Sequence, residues 1–109
     1  MTRESGDTPV ACSLSDREFH DREATLLAEF RSAVTGTREL PDGYVFRLPG
    51  DKRLIALVTE LIAAERECCP FFAFTLIFAS NMGPIDVFVT GPVGAKEFAG
   101  TILVEPAGA

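Results

Sequence analysis

Tryptophan is absent, and tyrosine and histidine occur once each in 109 residues. A single histidine excludes a site built from several imidazoles. It also leaves a cysteine–histidine catalytic pair only one candidate, His20, on the flank of the first expected helix and with no motif tying it to a cysteine. By itself His20 reads as a surface residue. Basic residues are also scarce, with ten Lys and Arg against sixteen Asp and Glu and a net charge of −6. The bases are scattered beside acids, as in Asp16-Arg17-Glu18 and Glu65-Arg66-Glu67. Nucleic-acid recognition needs clustered Lys and Arg, so neither a nucleic acid nor an anionic membrane is an expected partner. No apolar run reaches the ~18 residues of a membrane helix. The polar start Met1–Asp7 is followed by no apolar signal segment, so the expected location is the cytoplasm.

Cysteine occurs three times, at Cys12, Cys68 and Cys69. That is too few for a disulfide scaffold, and an odd count cannot pair completely. Two of the three are neighbours, whose mutual disulfide would need a strained ring. In a reducing compartment free thiols are the expectation.

What is present is an ordinary globular balance, 47% apolar and 24% charged, enough for one domain with a core. Residues 1–10 read as a polar lead-in, 11–104 as a single domain and 105–109 as a tail. Ser15 and Glu18 form a capping box, with Leu14 and Phe19 as the hydrophobic staple. Phe19, Leu26, Leu27, Phe30, Ala33 and Val34 then recur at helical spacing up to Gly36. Pro41-Asp42-Gly43 marks a hairpin turn, and Tyr44, Phe46 and Leu48 alternate with Arg47 beyond it. Asp51 caps a second helix that Pro70 stops. Phe74–Ala79 and Ile85–Thr90 form a second hairpin through Asn81-Met82-Gly83-Pro84. Gly91-Pro92 opens a short last helix with proline at its first position. Gly91-Pro92-Val93-Gly94 matches neither a P-loop nor a dinucleotide fingerprint. The order α-ββ-α-ββ-α predicts an α+β fold, a four-stranded, mainly antiparallel sheet with helices on its apolar face.

The second helix carries the chemistry. At ~100° per residue from Leu54, Glu65 falls about 20° away, inside the apolar stripe, with Cys68 and Cys69 about 40° and 60° to either side. A carboxylate there is costly to bury unless it is paired or neutral. Three readings compete. In the first, Glu65 reaches an arginine, with Arg47 on the adjacent hairpin as candidate, and the cysteines are small core residues. In the second, Cys68, Cys69 and Cys12, which lies in no core stripe, hold a thiophilic ion, with Glu65 as fourth ligand or proton acceptor. Adjacent helical side chains diverge by ~100°, so the helix end must unwind for both vicinal sulfurs to reach one ion. The negative end of the helix also opposes thiolate formation unless a cation is present. In the third, a cysteine acts in redox or covalent catalysis, which the same dipole disfavours. The phenylalanines Phe71, Phe72, Phe74, Phe78 and Phe88 read as core, though a small apolar cavity beside Glu65 would suit a ligand.

The run Glu65-Arg66-Glu67-Cys68-Cys69-Pro70-Phe71-Phe72-Ala73-Phe74 resembles the E-R-x-C-C-P-F-x-x-F signature of a group of small bacterial proteins. Ala11-Cys12-Ser13-Leu14, Leu40-Pro41-Asp42-Gly43-Tyr44, Thr90-Gly91-Pro92 and Gly94–Phe98 are similar as well. Such proteins occur alone or appended to heavy-metal-responsive, mercury-type transcriptional regulators. This chain has no helix-turn-helix segment and resembles the free-standing form. The resemblance implies a role with thiophilic metals in mercury resistance or sensing, with Cys12, Cys68, Cys69 and Glu65 at the recurring positions. It supplies no catalytic residue, and the balance favours a binding protein over an enzyme. The expected cargo is Hg(II), Cu(I), As(III) or Zn(II), the first three suiting three sulfurs best. The expected partner is that ion or a small thiophilic ligand, and a homodimer completing the site stays open.

Overall fold

Helix caps and tight turns punctuate this chain, and the computed structural model, which describes residues 17–104, places its elements between them. Helix α1 spans Arg17–Ala33 and buries Glu23, Leu26 and Phe30 on one stripe. The capping box predicted from Ser15 and the staple from Leu14 fall outside the described residues, as do the lead-in 1–10, Cys12 and the tail 105–109. Strands β1 (Gly36–Leu40) and β2 (Gly43–Leu48) form the first hairpin. Helix α2 covers Lys52–Cys68, and the Asp51 carboxylate accepts the Leu54 N–H at 2.9 Å. Strands β3 (Ala73–Phe78) and β4 (Ile85–Thr90) form the second hairpin. Its turn holds Asn81 and Met82 at φ of 59° and 60°, a conformation asparagine tolerates better than methionine.

The expected α+β order is the observed one, and all strand pairs are antiparallel, in the order β1-β2-β4-β3. Direct partners across an antiparallel pair share a face. Tyr44 opposes Val89, Phe46 opposes Val87 and Leu48 opposes Ile85, while Phe74 and Leu76 stand opposite Val89 and Val87 from the other side. This face carries the core under the helices, where Phe30 of α1 meets Phe46 edge-on at 5.4 Å between ring centres. Leu54, Leu57, Val58 and Leu61 of α2 are buried in the same core, each contributing about 1.5–3 kcal/mol. Gly43 lies so close to the Val89 carbonyl that a Cβ there would overlap it, which fixes glycine at the β2–β4 contact.

The last helix differs from expectation at its start. Pro92 is not its first residue: the Ala95 N–H donates to the Pro92 carbonyl in a turn, and Gly94, at φ 94°, reverses the chain. Helix α3 therefore covers only Ala95–Ala99 and runs into a π-helical turn, Gly100–Val104. Arg31 of α1 donates to the Ile102 carbonyl there at 2.7 Å. Among the described residues the sheet has two unlike borders. β1 carries Arg38 and Glu39, whereas β3 is Ala-Phe-Thr-Leu-Ile-Phe, with Ile77 and Phe78 about half exposed at 49% and 52%. No described helix is long and apolar enough to cross a membrane.

Candidate metal centre

Glu65 follows Leu61 by four residues and so continues the buried stripe of α2 into the α1–α2 junction. It is 1% exposed, and neither carboxylate oxygen has a hydrogen-bond partner among the described residues. Arg47 does not reach it. The Arg47 guanidinium grips Asp86 instead, through Nε at 2.8 Å and Nη2 at 3.0 Å. The two are register partners on the sheet face turned away from the helices. Strand alternation is the physical reason, because Phe46 and Leu48 face the helices and Arg47 between them cannot. The cation that α1 brings near α2 is also spoken for, since Arg22 pairs with Glu60.

What meets Glu65 is a second acid. Glu23 lies three residues before Leu26 and seven before Phe30, on the buried stripe of α1. Oxygens of Glu23 and Glu65 and the Cys69 sulfur all lie within 4.8 Å of one another, and all three residues are buried. Burial pushes the Glu65 carboxyl up to about 9, with the neighbouring Glu23 carboxyl adding to the shift and the Cys69 thiol opposing it. The thiol lies close enough to favour the carboxylate but does not satisfy either oxygen in hydrogen-bond geometry. Burial first, and then Glu65, raises the Cys69 thiol well above its ordinary range. Without a cation the cluster therefore keeps protons on Glu65 and Cys69 at neutral pH.

Cys69 owes its position to the helix end. Its N–H donates to the Glu65 carbonyl at 2.6 Å, its φ and ψ of −128° and 72° leave the helix, and its carbonyl accepts from Phe72 N–H at 3.2 Å. The unwinding expected before Pro70 is thus present, yet the vicinal sulfurs fall in different ligand sets. Cys68 gathers with Glu23 and His20 in a second set whose ligand atoms also lie within 4.8 Å of one another, and neither set contains both sulfurs. Nor are all the cysteines thiols. Cys69 is free, whereas Cys68 is disulfide-bonded, which corrects the expectation of free thiols drawn from a reducing compartment. The position of Cys12 lies outside the described residues.

Glu23 and His20 are the site residues that the sequence reading missed. Glu23 was visible as an acid in register with Leu26 and Phe30, the same signal that picked out Glu65 on α2. The His20 side chain is 38% exposed, with Nδ1 3.6 Å from Glu23, so it forms the outer rim of the cluster. The apolar cavity beside Glu65, lined by Phe30, Val58, Leu61, Phe72 and Val89, measures about 10 Å³. That is the room of about one water, so these side chains pack as core and leave no pocket for an organic ligand. Comparison with protein-family models, curated proteins and solved structures finds no match to this chain.

Proposed function

We propose that the chain binds a thiophilic metal ion at the α1–α2 junction, with Cys69, Glu65 and Glu23 as ligands. The observation that supports this most is the Glu65 carboxyl, buried with neither oxygen hydrogen-bonded among the described residues and lying beside a second acid and a thiol. Three groups that each prefer to lose a proton to a cation share one space, and a bound ion would relieve what solvent and donors do not. One sulfur with two carboxylates suits Zn(II), an ion of borderline softness, while Hg(II), Cu(I) and As(III) favour additional sulfur. The role would be sequestration, delivery or sensing in the cytoplasm, in keeping with the resemblance to proteins allied to mercury-type regulators.

The test is anaerobic titration with Zn(II) against a competing chelator, using the wild type, Glu65→Gln and Cys69→Ser. Stoichiometric binding that falls about 100-fold or more in each variant, with both still folded, is the expected result. Equal weak binding in all three would remove the proposal.

A second reading has its own observation. With Glu65 pushed to about 9 and the Cys69 thiol raised as well, these two groups are stable as neutral, protonated core side chains. The domain would then be a structural or interaction module. Metal-free and metal-loaded unfolding curves that coincide would favour it. Catalysis by a cysteine finds less support, since Cys69 is 1% exposed and its thiolate is disfavoured.

A further inference from the structure

We infer that the disulfide state of Cys68 decides which class of metal ion the junction takes, borderline when the disulfide is closed and soft when it is open. This rests on the metal-binding reading above and concerns how that site is regulated. The argument begins from the two ligand sets sharing Glu23: Glu23, Glu65 and Cys69 within, and His20, Glu23 and Cys68 at the rim. The thiolate is the form of cysteine that ligates metals, and a disulfide sulfur has no negative charge to offer. With Cys68 oxidised and Cys69 free, the inner set supplies one sulfur and two carboxylates. The rim set is reduced to an imidazole and the carboxylate it shares.

Reduction changes the donor set. Two molecules of a small cytoplasmic thiol deliver two electrons and two protons to the disulfide and leave joined as their own disulfide, and Cys68 becomes a thiol. Both sets are then complete on either side of Glu23 with one sulfur in each, and the rim set gains a thiolate beside its imidazole. That composition shifts preference from Zn(II) toward Cd(II) and Hg(II), because affinity follows ligand softness. A disulfide is uncommon in a reducing compartment, and those that do form there tend to be transient or sensing. Glu23 is the hinge of the arrangement, since it is the one ligand common to both sets. His20, half exposed, gives the rim an open side from which an ion can enter.

The experiment compares full-length protein in two states, air-oxidised and reduced with a phosphine that is removed before titration. Alkylation under denaturing conditions followed by mass spectrometry should label one cysteine in the oxidised sample and three in the reduced one. Three labelled in both would overturn the inference at once. Cd(II) titration should then show about tenfold tighter binding in the reduced state, with the sulfur-to-metal absorption at saturation rising about twofold as the thiolate of the rim set joins that of the inner set. Zn(II) affinity should change less. In His20→Ala, which alters only the half-exposed rim, the reduced-state gain should shrink while oxidised-state binding persists. Cys68→Ser should bind like the oxidised wild type whatever the reductant. Equal Cd(II) affinity in both states defeats the redox control but leaves the metal site standing. Absence of binding in either state defeats the metal reading itself.

Discussion

Two acids in this domain meet opposite fates. Asp86 lies on the open face of the sheet, held by two guanidinium hydrogen bonds from Arg47, which draw its carboxyl below its ordinary range. Glu65 lies at the α1–α2 junction with neither oxygen hydrogen-bonded among the described residues, and its carboxyl is pushed up. Neither difference is chemical, since both are carboxyls at the ends of short side chains. The surroundings decide: a partner on a wet surface favours charge, and a dry junction shared with another acid forbids it. The comparison teaches where to look for function. An ion pair on the surface contributes little and explains itself, whereas a buried acid without a partner costs stability and needs a reason to be there.

The sharpest break in that comparison is Glu65→Leu. In the metal-free protein it removes a carboxyl whose burial is uncompensated, so the variant should be more stable at neutral pH by about 1–3 kcal/mol in denaturant unfolding. The wild type should also show a distinctive pH slope. Below about 4.5, the ordinary value, Glu65 is protonated both folded and unfolded and costs nothing extra. Between there and its folded value of about 9, the unfolded chain ionises while the folded one keeps its proton, so stability falls as pH rises. The slope is at most about 1.4 kcal/mol per pH unit, and it should flatten in Glu65→Leu and in Glu65→Gln. A wild-type stability that climbs steadily from pH 5 to 9 would contradict the buried neutral acid.

Next in size is Glu23→Gln. As the ligand common to both sets, it should weaken Zn(II) binding by about tenfold or more in chelator competition, with the far-ultraviolet circular dichroism unchanged. Smallest is Asp86→Asn. It should leave metal binding untouched and alter stability by no more than the scatter of an unfolding curve, with the difference shrinking in added salt. The sign of its pH dependence is opposite to that of Glu65, because a lowered carboxyl contributes stability above its ordinary value and loses it as acid protonates it. A metal-binding defect in Asp86→Asn as large as that of Glu23→Gln would show that the two regions are not independent.

Much of this was legible in the chain. The Asp51 cap, the stop before Pro70 and the strand Ile85–Thr90 carry local signals strong enough to override their surroundings, and they stand where expected. Glu65 stood out because one helix wheel puts it among leucines. Glu23 carried the same stripe signal on α1, but its meeting with Glu65 is a matter of packing across elements that no spacing within either helix encodes. Arg47 was a poor partner on evidence already in the strand, since alternation turns it away from the face where Phe46 and Leu48 meet the helices. Gly94 shortened the last helix through a backbone angle that a proline two residues earlier does not reveal.

The unlike borders of the sheet have a consequence for how many chains can join. A strand added to β3 meets six residues without a charge among them, whereas one added to β1 meets Arg38 and Glu39. If two copies joined through β3, each would use up the one uncharged border among its described residues and present β1 outward on both sides. Growth along the sheet would then stop after a single addition, a pair rather than a fibre.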